Sequence, residues 1–183
     1  MALFDDAVEY VLAREKGLEE GNVSDSGGMT NYGISLRFLR TLSSESLRRY
    51  GIFEPVNEQT IRDLTIDQAK FIYRGEFWEK TVFDKIKSQQ VCNYVFDMCV
   101  NLGMTEAIKL VQRAFWAISF TRKFIKDDGI LGDETLRLIN LIMPDKLLPV
   151  IVANRASFYL LLAEIHPKDR ENLDGWLERC YRV

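Results

Sequence analysis

Glu15 stands four residues after Val11 and three after Leu12, so it continues the apolar stripe that Phe4, Ala7, Val8, Val11 and Leu12 lay down at helical spacing. Gly17, two residues on, is suited to stop that helix and leave Glu15 in its last turn. Partial burial and the negative end of a helix both favour the protonated form of a carboxyl group. A carboxyl that keeps its proton at neutral pH is what general-acid catalysis requires. The plainer alternative is an edge carboxylate paired with Arg14 or Lys16 on a solvated face.

The segment after Glu15 supplies partners for such an acid. Residues 17–33 hold five of the eleven glycines, with Asn22, Ser24, Asp25 and Ser26 among them. That density of turn formers is incompatible with helix and predicts tight turns or a short hairpin. Asp25 and the hydroxyl of Thr30 lie on it, and both can orient a water molecule. An acid on one side of a glycosidic bond and a water-orienting group on the other is a workable hydrolase arrangement. In an inverting glycosidase the two carboxyl groups stand about 6.5–9.5 Å apart to admit that water.

The elements that must hold these residues read as helices. Val91, Tyr94, Val95, Met98, Cys99 and Leu102 form a second stripe that Gly103 closes. Thr65 and Gln68 have the spacing of a capping box opening a helix through Ala69 and Ile72. Thr105 is placed to cap the helix that carries Ile108, Val111, Phe115 and Ile118, and Asp133 to cap another. Pro144 and Pro167 punctuate the C-terminal helices, and Leu173, Trp176, Leu177 and Cys180 predict a last helix packed back on the body. Asp97 sits beside the apolar stripe, where a structural hydrogen-bonding role is expected.

The chain has 183 residues, a formal charge of −3 and 47% hydrophobic residues, which fits one globular domain that needs no metal or disulfide to fold. A mildly acidic balance argues against a dedicated nucleic-acid binder. Cys92, Cys99 and Cys180 are an odd, sparse set, and His166 is the single histidine, so no zinc site of the usual spacing is available. The cysteines are expected to be buried small hydrophobes of a chain made in a reducing compartment. Asp127-Asp128-Gly129 does not match a calcium-binding loop and reads as a turn. The start of the chain is acidic where a signal peptide would be basic and then apolar, and no transmembrane segment is expected.

Glu15-Lys16-Gly17 and Asp25-Ser26-Gly27-Gly28-Met29-Thr30-Asn31-Tyr32-Gly33-Ile34 resemble the signature of glycoside hydrolase family 108. The likeness continues through Ile72-Tyr73-Arg74, Phe77-Trp78, Phe96-Asp97, Val100-Asn101-Leu102-Gly103, Val111-Gln112-Arg113-Ala114, Asp128-Gly129-Ile130-Leu131-Gly132 and Gly175-Trp176-Leu177. That family comprises phage-type endolysins and related bacterial N-acetylmuramidases, some of them recruited for toxin secretion. The resemblance implies a mainly α, lysozyme-like fold with a short glycine-rich β-hairpin or loop after the first helix. It divides a single unit, 1–183, into a catalytic part (1–104) and a helical part (105–183) resembling a peptidoglycan-binding region.

By the same resemblance Glu15 is the catalytic glutamate, with Thr30 and Asp25 in the catalytic loop. Lys16 and Ser26 depart from the family's glycine and proline, and the stretch before Asp25 is one residue longer. A one-residue slip would put Ser24 in place of Asp25. Tyr32, Tyr73 and Trp78 can stack on sugar faces, though core packing explains them better. Asn31 and Asn101 can bond hydroxyl or acetamido groups, and Asn101 is equally placed to be a helix cap. Arg37, Arg40, Arg48 and Arg49 offer either a basic rim for peptidoglycan carboxylates or a solvated helix face.

The function expected is an N-acetylmuramidase cleaving the β-1,4 bond between N-acetylmuramic acid and N-acetylglucosamine, acting as a monomer on peptidoglycan without metal or organic cofactor. A holin or another export route would carry it from the bacterial cytoplasm to the periplasm and cell wall, in phage lysis or in toxin export. Two alternatives stay open, a lytic transglycosylase and a peptidoglycan-binding module without turnover.

Overall fold

The computed structural model of the chain describes residues 1–15, 17–20, 28–118 and 125–183. They form a mainly helical, lysozyme-like fold. Helix α1 (Phe4–Leu12) buries Phe4, Ala7, Val8 and Val11, the stripe expected from the spacing, and Asp5 and Asp6 in its first turn complement the helix dipole. A two-stranded antiparallel hairpin follows, β1 (Thr30–Asn31) and β2 (Ile34–Ser35), with Asn31 opposite Ile34. Its two-residue turn has positive φ at both central positions, 49° at Tyr32 and 77° at Gly33. That combination matches the twist of a tight hairpin and explains why a glycine stands second.

Four short helices come next: α2 (Leu36–Leu39), α3 (Ser44–Arg49), α4 (Glu58–Arg62) and α5 (Ile66–Tyr73). The Thr65/Gln68 capping box opens α5, the Thr65 hydroxyl accepting from the Gln68 N–H at 3.2 Å and the Gln68 side chain from the Thr65 N–H at 3.0 Å. A π-helical turn (Arg74–Trp78) and a 3-10 turn (Phe83–Lys85) lead to α6 (Gln89–Leu102). An aromatic cluster lies where these elements meet α1. Phe83 packs edge-on against Phe96 at 5.2 Å between ring centres, and Trp78 stacks on Phe83 at 5.6 Å.

Gly103, at φ 82°, ends α6 and turns the chain straight into α7 (Met104–Ile118). Thr105 therefore lies inside α7 and does not cap it, because the left-handed glycine leaves no linker in which a cap could sit. Likewise Gly132 holds the cap position of α8 (Asp133–Leu141), and Asp133 is its first helical residue, where its charge meets the positive end of the helix. The Asp127-Asp128-Gly129 segment is a turn tied to α7: the Gln112 side chain donates to Asp128 at 2.9 Å and accepts from the Gly129 N–H at 2.9 Å.

Pro144 starts α9 (Pro144–Ile165), and a 3-10 turn (Pro167–Asn172) leads into α10 (Leu173–Tyr181). At 22 residues and a mean hydropathy of 1.4, α9 is long and apolar enough to cross a membrane by length and composition. Part of that apolarity lies inside the fold. Leu147, Ile151, Val152, Arg155, Ala156 and Tyr159 are buried, and α9 packs on α7 and α10. Cys92, Cys99 and Cys180 are free thiols in the interior, and burial pushes the Cys92 thiol up to about 12, so it stays neutral and unreactive.

Candidate active site

Helix α1 stops at Leu12, but Arg14 and Glu15 still donate to the Val11 and Leu12 carbonyls at 2.9 and 3.2 Å. These bonds continue the helix as a tighter turn and carry Glu15 to its rim. Gly17 follows at φ 87°, a backbone conformation that suits glycine. The Glu15 side chain keeps 16% of its exposure and lies against the hairpin turn. A Cβ on Gly33 would stand 2.7 Å from the Glu15 carboxyl carbon and 2.5 Å from the Tyr73 hydroxyl. Gly33 thus meets two demands at once, a left-handed backbone and a missing side chain beneath a carboxylate.

Tyr73 supports the turn from below. Its hydroxyl donates to the Tyr32 carbonyl at 2.8 Å. Burial first and the nearby Glu15 charge second hold the phenol well above its ordinary pKa, so it remains a donor. Full burial leaves Tyr73 no face for a sugar, which corrects the stacking role and leaves it a prop under the loop.

Asn31 is also turned inward, donating to the Ile61 carbonyl at 3.0 Å and pinning the hairpin to the end of α4. Its amide hydrogens serve the fold and not a ligand. Trp78 is half-buried in the aromatic cluster with Phe4, Phe83 and Phe96. Tyr32 and Thr30 are half-buried on the hairpin, and Thr30 exchanges backbone bonds with Glu19 at 2.8 and 2.9 Å. Asp25 and Ser24, with Lys16, lie outside the described residues. The basic-rim residue Arg49 pairs with Glu79 at 3.1 Å on the exposed surface, and Arg40 donates to the Val56 carbonyl.

On the other side of Glu15 stands a cation that the sequence reading did not place there. Arg179 of α10 donates through Nη2 to Glu15 Oε1 at 2.7 Å, and through the same nitrogen to Asp97 Oδ1 at 2.7 Å. Its Nε adds bonds to both Asp97 oxygens at 3.2 and 3.3 Å. Asp97 is fully buried and accepts from the equally buried Arg155 at 2.9 Å. Arg155 Nη2 reaches Asn101 Oδ1 at 3.3 Å, and the Tyr159 hydroxyl donates to the same oxygen. Arg179 thus bridges Asp97 to Glu15, and Arg155 closes on Asp97 from the other side. Burial works against the charge on Arg179, but Asp97 and then Glu15 outweigh it and hold the guanidinium above its usual value.

Two signals in the sequence point to this seam. Arg155 is the sole charge between Leu147 and Ala163, and Asp97 is the sole charge between Val91 and Leu102. Asp97 and Asn101 are four apart on α6, as Arg155 and Tyr159 are on α9, so each pair shares a helix face. What the sequence does not say is that the two faces meet each other, or that Arg179 from a third helix joins them.

The model of the glycosyl hydrolase 108 family matches residues 8–103, and that of a predicted peptidoglycan domain matches residues 106–181. Among solved structures, SagA of Brucella abortus is similar, with a TM-score of 0.74 at 23% identity, covering 98% of this chain and 90% of that one. No curated protein matches the chain.

Proposed function

We propose, from the premise that this chain belongs to glycosyl hydrolase family 108 and is a peptidoglycan hydrolase, that it is an N-acetylmuramidase with Glu15 as its general acid. The bond cleaved is the β-1,4 linkage from N-acetylmuramic acid to N-acetylglucosamine. The observation that carries this reading is the seat of Glu15, a mostly buried carboxyl laid on Gly33 and gripped at Oε1 by Arg179. A protonated carboxyl so held still offers Oε1 as an acceptor, and Oε2 carries the proton.

That proton passes to the glycosidic oxygen as its bond to the muramic-acid C1 breaks. Water adds at C1 from the opposite side and loses a proton to a base, for which Asp25 is our candidate, with Thr30 orienting the water. Tyr32 and Asn101 are the residues we assign to sugar contact. The polymer lies outside the cytoplasm, so the enzyme works in the periplasm or cell wall after export, by a holin or another route, in phage lysis or in toxin secretion.

Digestion of purified sacculi in H2-18O tests the reaction. Muropeptides with a muramic-acid reducing end that carries one 18O atom are expected. Anhydro-muramyl ends without the label would make the protein a lytic transglycosylase, and binding without soluble products would make it a wall-binding module.

A further inference from the structure

We propose that Arg179 is the positioning residue of the catalytic glutamate, so that the last helix of the peptidoglycan-domain segment is part of the hydrolytic centre. The inference rests on Glu15 being the acid. Glu15 follows the end of α1 on a tight turn, and a glutamate side chain left to itself samples several rotamers, so fixing it needs a partner. Of the groups bonded to its carboxyl among the described residues, Arg179 comes from 164 positions away.

Arg179 is itself held in one pose. Its Nε and Nη2 both grip Asp97, an arrangement that sets the guanidinium plane and not only its charge. Asp97 is fixed in turn by buried Arg155, and Arg155 by Asn101 beneath the Tyr159 hydroxyl. The grip therefore runs from the interior outward across α9, α6 and α10, and ends on Glu15.

The backbone around Arg179 is latched as well. The Tyr94 hydroxyl donates to the Cys180 carbonyl at 2.9 Å. Tyr10 in the last turn of α1 and Arg14 on the turn that follows donate to the Arg182 carbonyl at 2.7 and 2.6 Å. Residues of α1, of the turn that carries Glu15 and of α6 thus hold the segment that holds the glutamate. A buried ionic chain is a poor way to gain stability, since apolar packing of equal volume often does as well. Geometry is what it supplies here: it fixes where Glu15 Oε1 stands.

Steady-state turnover on soluble glycan strands by the full-length wild type, R179M, R179K and E15Q tests the proposal, with sacculus pull-down and thermal unfolding in parallel. R179M is expected to lose about 100-fold in kcat, with KM and pull-down within about twofold of wild type, as displacement of a catalytic group by an ångström does. R179K restores the charge without the fork and is expected to recover about tenfold of that loss. Folded R179M with wild-type kcat overturns the proposal, as does a loss confined to KM. Should R179M not fold, R179K decides alone: reduced kcat at unchanged KM supports the proposal, and wild-type kcat overturns it. Turnover retained in E15Q sinks the assignment of the acid, and this inference with it, whereas an inactive E15Q beside a fully active R179M sinks this inference only.

Discussion

Two adjacent residues of α6 face two different interiors. Phe96 enters a cluster of rings with Phe4, Trp78 and Phe83, which excludes water and asks only for shape. Asp97, one position on and equally buried, enters a seam of charges with Arg155 and Arg179, where each group depends on the others being present. An aromatic cluster tolerates the loss of some volume, because its remaining contacts keep their sign. A buried ion chain does not tolerate the loss of a member, because what remains is an uncompensated charge. The same difference separates what stabilises the fold from what orients Glu15.

Breaking the seam has the largest effect on stability. Asp97→Ala leaves Arg155 and Arg179 facing each other in the interior and is expected to cost about 3–5 kcal/mol in urea unfolding. A cost below about 1 kcal/mol would mean that water reaches the seam and that the contrast with the aromatic cluster is false.

Gly33→Ala comes next. It forces a Cβ against the Glu15 carboxyl and the Tyr73 hydroxyl on a backbone already at φ 77°, with an expected cost of about 2–3 kcal/mol. Its particular signature is loss of wall cleavage well below its unfolding temperature, because the atoms that must yield belong to the proposed acid and to Tyr73 beside it. Cleavage at the wild-type rate would show that the seat on Gly33 does not set the geometry.

Phe96→Leu is the mild counterpart of Asp97→Ala. It removes part of one ring from a cluster that can partly close, and about 1–2 kcal/mol is expected, with turnover at 25 °C unchanged. Calorimetry beside an activity assay separates the two halves of that statement. A marked fall in kcat would show that the aromatic cluster also orients the site.

Local features of the sequence carried much of this. The stripes of α1 and α6, the Thr65/Gln68 box and the glycine-rich hairpin follow from spacing within a dozen residues, and the structure has each of them. Helix starts were less legible at Thr105 and Asp133, where a glycine took the boundary. The aromatic and amide residues near the hairpin were legible as positions but not as roles. Whether Tyr73 or Asn31 faces a cleft or the core depends on α4 and on the turn above, and both proved to face inward. The seam was the least legible, since its members are 82 and 164 residues apart and no periodicity links them. Asp97 and Arg155 each stand as a lone charge in an apolar stretch, while nothing near Arg179 separates it from the other arginines near the C-terminus.

The carboxyl braced between Gly33 and Arg179 is proposed as the acid that cleaves the wall polymer. Glu15→Gln keeps the shape and the Oε1 acceptor while removing the transferable proton, so the release of reducing ends from sacculi by that variant is the most direct test. The expected result is a rate lower by at least about 100-fold, with a thermal unfolding curve close to that of the wild type. Release at the wild-type rate by the folded variant would contradict the account.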